Sequence, residues 1–109
     1  MKNQKTIIRL LAILIINTLL FVSGSVVAGA AEDGKQKTSG CVSCHGMNGR
    51  SNNPNYPNLA GQKKNYLIKA LKAYRDKKRE DTMMNSLTAT LSDADIDAIA
   101  AYYSSQKAK

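Results

Sequence analysis

The chain has 109 residues, enough for one small domain, and its 16 Lys and Arg against 8 Asp and Glu give a net charge of +8. One Phe and no Trp leave little aromatic bulk for a core, and no zinc finger or aromatic-basic RNA signature accompanies the charge, so nucleic acid is excluded as an expected partner. Without its first 30 residues, which have the export features described below, the chain would have 109 − 30 = 79 residues. A core of that size is marginally stable without a staple such as a metal or cross-link. The composition therefore favours a bound prosthetic group.

The N-terminal segment has the features of an export signal. Basic residues between positions 2 and 9 precede an apolar run over residues 10–22, and an A-x-A cleavage pattern ends at Ala30. The run is short for a bilayer span, which needs about 20 residues. We therefore expect residues 1–30 to be a cleaved signal peptide and residues 31–109 to form a periplasmic domain with no stable membrane insertion. An uncleaved anchor is the alternative.

The remaining chain has helical periodicity and no convincing strand. Two segments repeat apolar residues at helical spacing, and loops rich in Gly, Asn, Ser and Pro lie between predicted helices. Ser92 is a suitable N-cap, followed by acidic residues that favour the helix dipole. The fold class is therefore all-α, with about three helices. The predicted elements are a short helix over residues 31–40, a loop over 46–61, a helix over 63–78, a loop over 79–91 and a final helix after Ser92.

The motif with the most chemical information is Cys41-Val42-Ser43-Cys44-His45. C-x-x-C-H is the signature of covalent haem attachment. Two thiols three positions apart can reach the two vinyl groups on one porphyrin edge, and the next residue can then bind the iron through its imidazole. The motif predicts one haem c, held covalently by Cys41 and Cys44, with His45 on the iron.

Three other sites could use the same residues. A bare C-x-x-C can be a thiol-disulfide redox pair, but that pair normally opens a helix after a strand, and no strand is evident. A zinc site needs more Cys or His ligands than this chain supplies. A structural disulfide between residues so close in sequence would close a very small loop and stabilise little.

The second axial ligand has to be something other than histidine, because His45 is the only one. Methionine is the usual alternative, and it favours reduced iron and raises the potential. Met1 lies in the signal segment, and Met47 is too close to His45 to reach the opposite face of the ring. Met83 and Met84 remain as candidates.

Together these motifs resemble those of class I c-type cytochromes, in particular the small bacterial group with cytochromes c-553, c5 and the halves of cytochrome c4. The resemblance covers essentially the whole of the predicted mature domain. The shared residues are Gly34, Cys41 to Gly46, Tyr56-Pro57-Asn58-Leu59-Ala60-Gly61-Gln62, Tyr66-Leu67, the methionine pair, Leu91-Ser92-Asp93 and Ala100-Ala101-Tyr102-Tyr103.

The resemblance implies three helices around one haem, with the first and last crossing near Gly34 and the pair Tyr102-Tyr103. It implies Met84 as the second iron ligand, with Met83 as runner-up, and the carbonyl of Pro57 as partner of the imidazole N–H. Many relatives have an aromatic residue in the first helix between the glycine that corresponds to Gly34 and the first cysteine, and this chain has none there.

With both axial positions filled, the iron has no open site for substrate, so the predicted function is single-electron transfer and not catalysis. The expected partners are a donor and an acceptor redox protein with acidic docking surfaces, although the basic residues between positions 63 and 79 could be only a solvated helix face. One alternative is a haem subunit of a larger dehydrogenase, because Arg75-Asp76, Lys78-Arg79 and Met84-Asn85 are similar to a pattern in flavocytochrome c sulfide dehydrogenases. Another is a haem sensor or peroxidase-like protein with an open sixth position.

Overall fold

The computed structural model describes residues 3–5 and 25–108, so the predicted apolar run over residues 10–22 lies outside the described residues. Within the described part the regular structure is helical and contains no strand, which confirms the all-α prediction. No helix there is long and apolar enough to cross a membrane. The elements are α1 (Ser25–Gln36), α2 (Val42–His45), a 3-10 helix (Met47–Gly49), α3 (Lys64–Arg75), α4 (Thr82–Thr88) and α5 (Asp93–Ser105).

Helices α1 and α5 cross at Gly34, as the resemblance implied. A Cβ built on this buried glycine would collide with the carbonyl oxygen of Ala98 and lie 2.9 Å from the Cβ of Tyr102. Glycine therefore lets two helix backbones approach more closely than any side chain would allow. Helix α1 begins and ends earlier than the predicted helix over residues 31–40. It also passes through Ala30, and cleavage there stays a prediction.

Helix α5 supplies most of the core and begins where the sequence predicted. The Ser92 hydroxyl accepts a hydrogen bond from the backbone N–H of Asp95, and the Asp95 carboxylate accepts one from the N–H of Ser92, which forms a capping box. Ile99 and Tyr103 are almost fully buried and pack in one cluster with Leu67 of α3. Burying each such apolar side chain contributes about 1.5–3 kcal/mol.

The prediction of a continuous loop over residues 79–91 is wrong, because α4 lies within it. The Asp81 carboxylate accepts a hydrogen bond of 2.9 Å from the N–H of Met84, and the Asn85 side-chain oxygen accepts one of 2.8 Å from the N–H of Asp81. These two hydrogen bonds fix the first turn of α4. A helix of seven residues is too short to show a clear helical repeat in the sequence.

The loop over residues 46–61 is confirmed except for the 3-10 helix Met47–Gly49, and its own backbone holds it in place. Gly49 has a φ of 76°, which glycine adopts at no steric cost. Its carbonyl accepts hydrogen bonds from the N–H groups of Leu59 (2.7 Å) and Ala60 (3.0 Å). The loop then joins the core, because the N–H of Gly61 donates to the carbonyl of Tyr103 at 2.9 Å.

Candidate haem-binding site

A cavity of about 500 Å³ opens between α2, the loop that follows it, α3, α4 and α5. Its wall includes the two cysteines, the imidazole of His45 and both methionines of α4, Met83 and Met84. Pro57 also lines it. The structure therefore brings every residue predicted for the site to one cavity, although these residues span more than 40 positions in sequence.

The two cysteines lie at opposite ends of one helical turn. Cys41 is the N-cap residue of α2, and its carbonyl accepts a hydrogen bond of 2.9 Å from the N–H of His45. Residues three apart in a helix share a face, so both thiols reach the same cavity wall. Both cysteines are partly buried and free. Burial raises the pKa of the Cys41 thiol, which keeps it protonated at neutral pH.

His45 is buried, with 6% of its surface exposed, and its ring is oriented by one hydrogen bond. Nδ1 lies 2.8 Å from the carbonyl oxygen of Pro57. Because a carbonyl can only accept, Nδ1 carries a proton and donates it to the hydrogen bond, so the neutral imidazole has its lone pair on Nε2. Within the described part of the chain, no hydrogen bond reaches Nε2. A nitrogen in this state is available to a metal.

Two loop residues, Ser51 and Asn58, support the segment that carries the Pro57 carbonyl, and the sequence analysis gave neither of them a role. The N–H of Ser51 donates to the side-chain oxygen of Asn58 at 2.7 Å, and the Ser51 hydroxyl donates to the carbonyl of Cys44 at 3.1 Å. These bonds connect the residue after Pro57 to the turn that carries the cysteines. Ser and Asn commonly bond nearby backbone in loops, but composition alone does not show which ones do.

The two methionines differ in exposure. Met83 is 58% exposed, whereas Met84 is half-buried. The backbone of Met84 is held at both ends, since its N–H donates to Asp81 and its carbonyl accepts a 2.7 Å hydrogen bond from the buried Thr88 hydroxyl. Met84 is therefore the more buried of the two methionines, and hydrogen bonds fix its backbone at both ends.

Tyr103 completes the wall behind the first cysteine. Its hydroxyl is buried beside the Cys41 thiol and the Thr38 side chain, and no hydrogen bond of standard geometry joins it to any of the described residues. Burial raises the pKa of this phenol well above its usual value. Tyr103 is therefore an uncharged packing residue of the cavity.

The donor set fits a covalently attached haem. The cavity combines two free thiols on one wall, a buried imidazole with an unused Nε2, and methionine sulfur, and these N and S donors are the ones that hold haem c and its iron. The described residues contain no group of three or more His, Cys, Asp or Glu that could hold a bare metal ion.

Comparison with known proteins gives three principal matches besides the family model. The Cytochrome c family model matches residues 31–107. Cytochrome c-554(548) of Halomonas halodenitrificans is 48% identical over 83 residues, which are 73% of this chain and 100% of that protein. Cytochrome c4 of Pseudomonas aeruginosa is 46% identical over 80 residues, 73% of this chain but only 40% of that protein. The crystal structure of reduced recombinant cytochrome c4 from Pseudomonas stutzeri matches with a TM-score of 0.68 at 31% identity, covering 73% of this chain and 50% of the other.

These matches confirm the resemblance and the class I cytochrome c fold. The residues matched by the family model include every residue that lines the cavity. This chain spans half or less of the two cytochrome c4 chains and all of the cytochrome c-554(548) chain. The cytochromes c4 and c-554 that this chain is similar to are electron carriers and not enzymes. The chain belongs to the cytochrome c family, whose members carry covalently bound haem c with its iron.

Proposed function

We propose that this chain is a periplasmic monohaem carrier that passes single electrons between redox protein partners. In this proposal Cys41 and Cys44 hold the haem, and His45 and Met84 are the axial ligands. The observation that carries it is the meeting of two thiols, a buried imidazole and a half-buried methionine in one cavity. When bound, the haem iron supplies reversible one-electron oxidation and reduction.

The cysteines would anchor the group from one wall. Their thiols are three positions apart on a single turn whose first residue, Cys41, is also packed against the core. Attachment at both positions would keep the group in a domain too small to enclose it completely. The bound group would also fill core volume in a chain that has only one Phe and no Trp.

His45 would bind the iron through Nε2. The carbonyl of Pro57 would fix the ring and raise the basicity of the imidazole, as hydrogen-bond partners of metal-bound histidines generally do. Ser51 and Asn58 would stabilise this hydrogen bond indirectly, because they connect the Pro57 segment to the turn that contains Cys44. The imidazole would then enter the bond already oriented, at little further cost in side-chain entropy.

Met84 is the better candidate for the second ligand because it is half-buried at the cavity wall, whereas Met83 is mostly exposed. A thioether ligand opposite the imidazole favours reduced iron and raises its potential. With both axial positions filled by the chain, no position is left for a substrate. Transfer of an electron across the edge of the bound group is then the remaining chemistry.

The charge distribution supports docking to an acidic partner. Three basic residues of α3 form ion pairs with acids of α5: Lys64 with Asp97 (3.0 Å), Lys72 with Asp93 (3.3 Å) and Arg75 with Asp93 (2.7 Å). Further basic side chains of the same region form no ion pair within the described part of the chain, namely Lys63, Lys69, Lys77, Lys78 and Arg79. This unpaired charge would attract an acidic redox protein, and the rate of electron exchange should therefore fall as salt rises.

The ligand assignment is tested by comparing Met84→Ala with the matched variant Met83→Ala in exported, haem-loaded protein. We expect Met84→Ala to lose the far-red absorption of methionine-bound ferric haem and to bind carbon monoxide when reduced. Met83→Ala should keep the band and exclude carbon monoxide. The reverse pattern would assign the ligand to Met83, and avid carbon monoxide binding by the wild type would contradict an electron carrier with six-coordinate iron.

A further inference from the structure

The cavity wall carries one cation that neither the proposed ligands nor the ion pairs use. Three fully charged side chains line the cavity: Lys37, Arg79 and Asp81. Lys37 is paired with Asp95 at 2.9 Å, and Asp81 accepts the hydrogen bond that begins α4. Arg79 forms no ion pair with any of the residues that the structure describes.

Arg79 is nevertheless held in place. Its guanidinium carbon lies 4.7 Å from the ring centre of Tyr74, a cation–π contact, and Tyr74 also lines the cavity. The side-chain amide of Asn85 donates to the backbone carbonyls of both residues, at 2.9 Å for Arg79 and 2.7 Å for Tyr74. The N–H of Arg79 donates in turn to the carbonyl of Ala73 at 3.0 Å. The charge is therefore fixed against one wall of the cavity by its own backbone and by the ring.

A haem carries two carboxylate side chains, which are anionic at neutral pH. Bringing a carboxylate up to an apolar cavity costs free energy unless a cation or hydrogen-bond donors accompany it. The guanidinium is planar and matches a carboxylate with two parallel hydrogen bonds, and it is more weakly hydrated than an ammonium group. Arg79 has this chemistry, an unpaired charge and a fixed position on the cavity wall.

We propose that Arg79 binds a carboxylate of the haem and acts as a positioning residue that raises the reduction potential. The proposal rests on the haem site proposed above. A positive charge beside the bound group favours the reduced state, because that state carries one more negative charge than the oxidised one. Removing the charge should therefore make reduction harder, and Tyr74 and Asn85 should contribute only by holding Arg79 in place.

The test compares Arg79→Gln with Lys78→Gln in exported protein that carries covalent haem. Both variants remove one positive charge from adjacent positions, but Lys78 does not line the cavity. We expect Arg79→Gln to lower the ratio of reduced to oxidised protein at a fixed applied potential by about tenfold, which is 59 mV for a one-electron couple. Lys78→Gln should change the ratio less than about threefold, since exposed charge is screened. Equal effects in the two variants would overturn the proposal.

A spectroscopic measurement identifies the group that Arg79 touches. Haem labelled with ¹³C in its carboxyl carbons marks the carboxylate bands in infrared difference spectra between the reduced and oxidised states. The labelled bands should move in Arg79→Gln and remain in place in Lys78→Gln, and unchanged bands in Arg79→Gln would refute the contact. If Arg79→Gln retains no haem, Arg79→Lys provides the answer, because it keeps the charge but loses the paired geometry and should still shift the labelled bands. Absence of covalent haem from the wild type would instead contradict the proposed function.

Discussion

Replacing Gly34 by alanine should destabilise the protein by about 2–3 kcal/mol. Alanine is favoured over glycine inside a helix by about 0.8–1 kcal/mol. Against this gain, the new Cβ would lie well under 3.0 Å from the carbonyl oxygen of Ala98 and 2.9 Å from the Cβ of Tyr102. Overpacking costs about 1–3 kcal/mol and sometimes more. Because the obstacle is helix backbone that cannot rotate away, the cost should be about 3–4 kcal/mol, which the helix preference of alanine reduces to about 2–3 kcal/mol.

Lys35 provides the matched control, because it is the next residue of α1 and its side chain is exposed. Lys35→Ala should therefore change the stability by less than about 0.5 kcal/mol. Thermal unfolding of the haem-loaded protein, followed by far-ultraviolet circular dichroism, should show a drop of about 10–20 °C for Gly34→Ala alone. A melting temperature for Gly34→Ala within about 2 °C of that for Lys35→Ala would refute the crossing of α1 and α5 at this glycine.

Four further substitutions test other contacts. The hydroxyl of Tyr102 donates a 2.9 Å hydrogen bond to the side chain of Asn48, whereas the buried hydroxyl of Tyr103 makes no hydrogen bond of standard geometry with the described residues. In urea denaturation, Tyr102→Phe should cost about 1 kcal/mol and Tyr103→Phe nothing. Equal losses of stability would contradict this difference. Asn85→Ala removes the amide that joins two carbonyls and should cost about 1–3 kcal/mol by the same measurement, so unchanged stability would show that these bonds contribute nothing. Lys37 lowers the pKa of Asp95 to about 2 in the folded state, so the stability from this pair is present above the unfolded pKa near 4 and is lost as pH falls towards 2. Lys37→Gln should reduce the loss of folding stability between about pH 4 and pH 2. An unchanged pH dependence of stability would argue against the ion pair.

The features that the sequence predicts well are local. Ser92 and Asp95 form a capping box, and both partners lie within one turn. The local sequence is therefore sufficient to place the start of α5. The C-x-x-C-H motif is local in the same sense, since one helical turn brings Cys41 and Cys44 to the same wall. Such features depend on few neighbours and can be read without the rest of the fold.

The features that sequence reasoning missed depend on contacts between distant segments. Helix α4 is stabilised by side-chain caps and by Asn85, which bonds to a carbonyl eleven positions earlier. Part of the basic charge of α3 is neutralised by acids of α5, for example at Lys64 and Asp97, 33 positions apart. The hydrogen bond from His45 to Pro57 could be expected only from the family resemblance, because neither residue alone specifies the path of the loop between them.

Covalent attachment of one haem by the two cysteines is tested most directly by the intact mass of the exported protein under denaturing conditions, because those conditions remove any group that is not covalently bound. We predict one species with the mass of residues 31–109 plus one haem, with no thiol left to alkylate. A chain without haem that takes up two alkyl groups would contradict it.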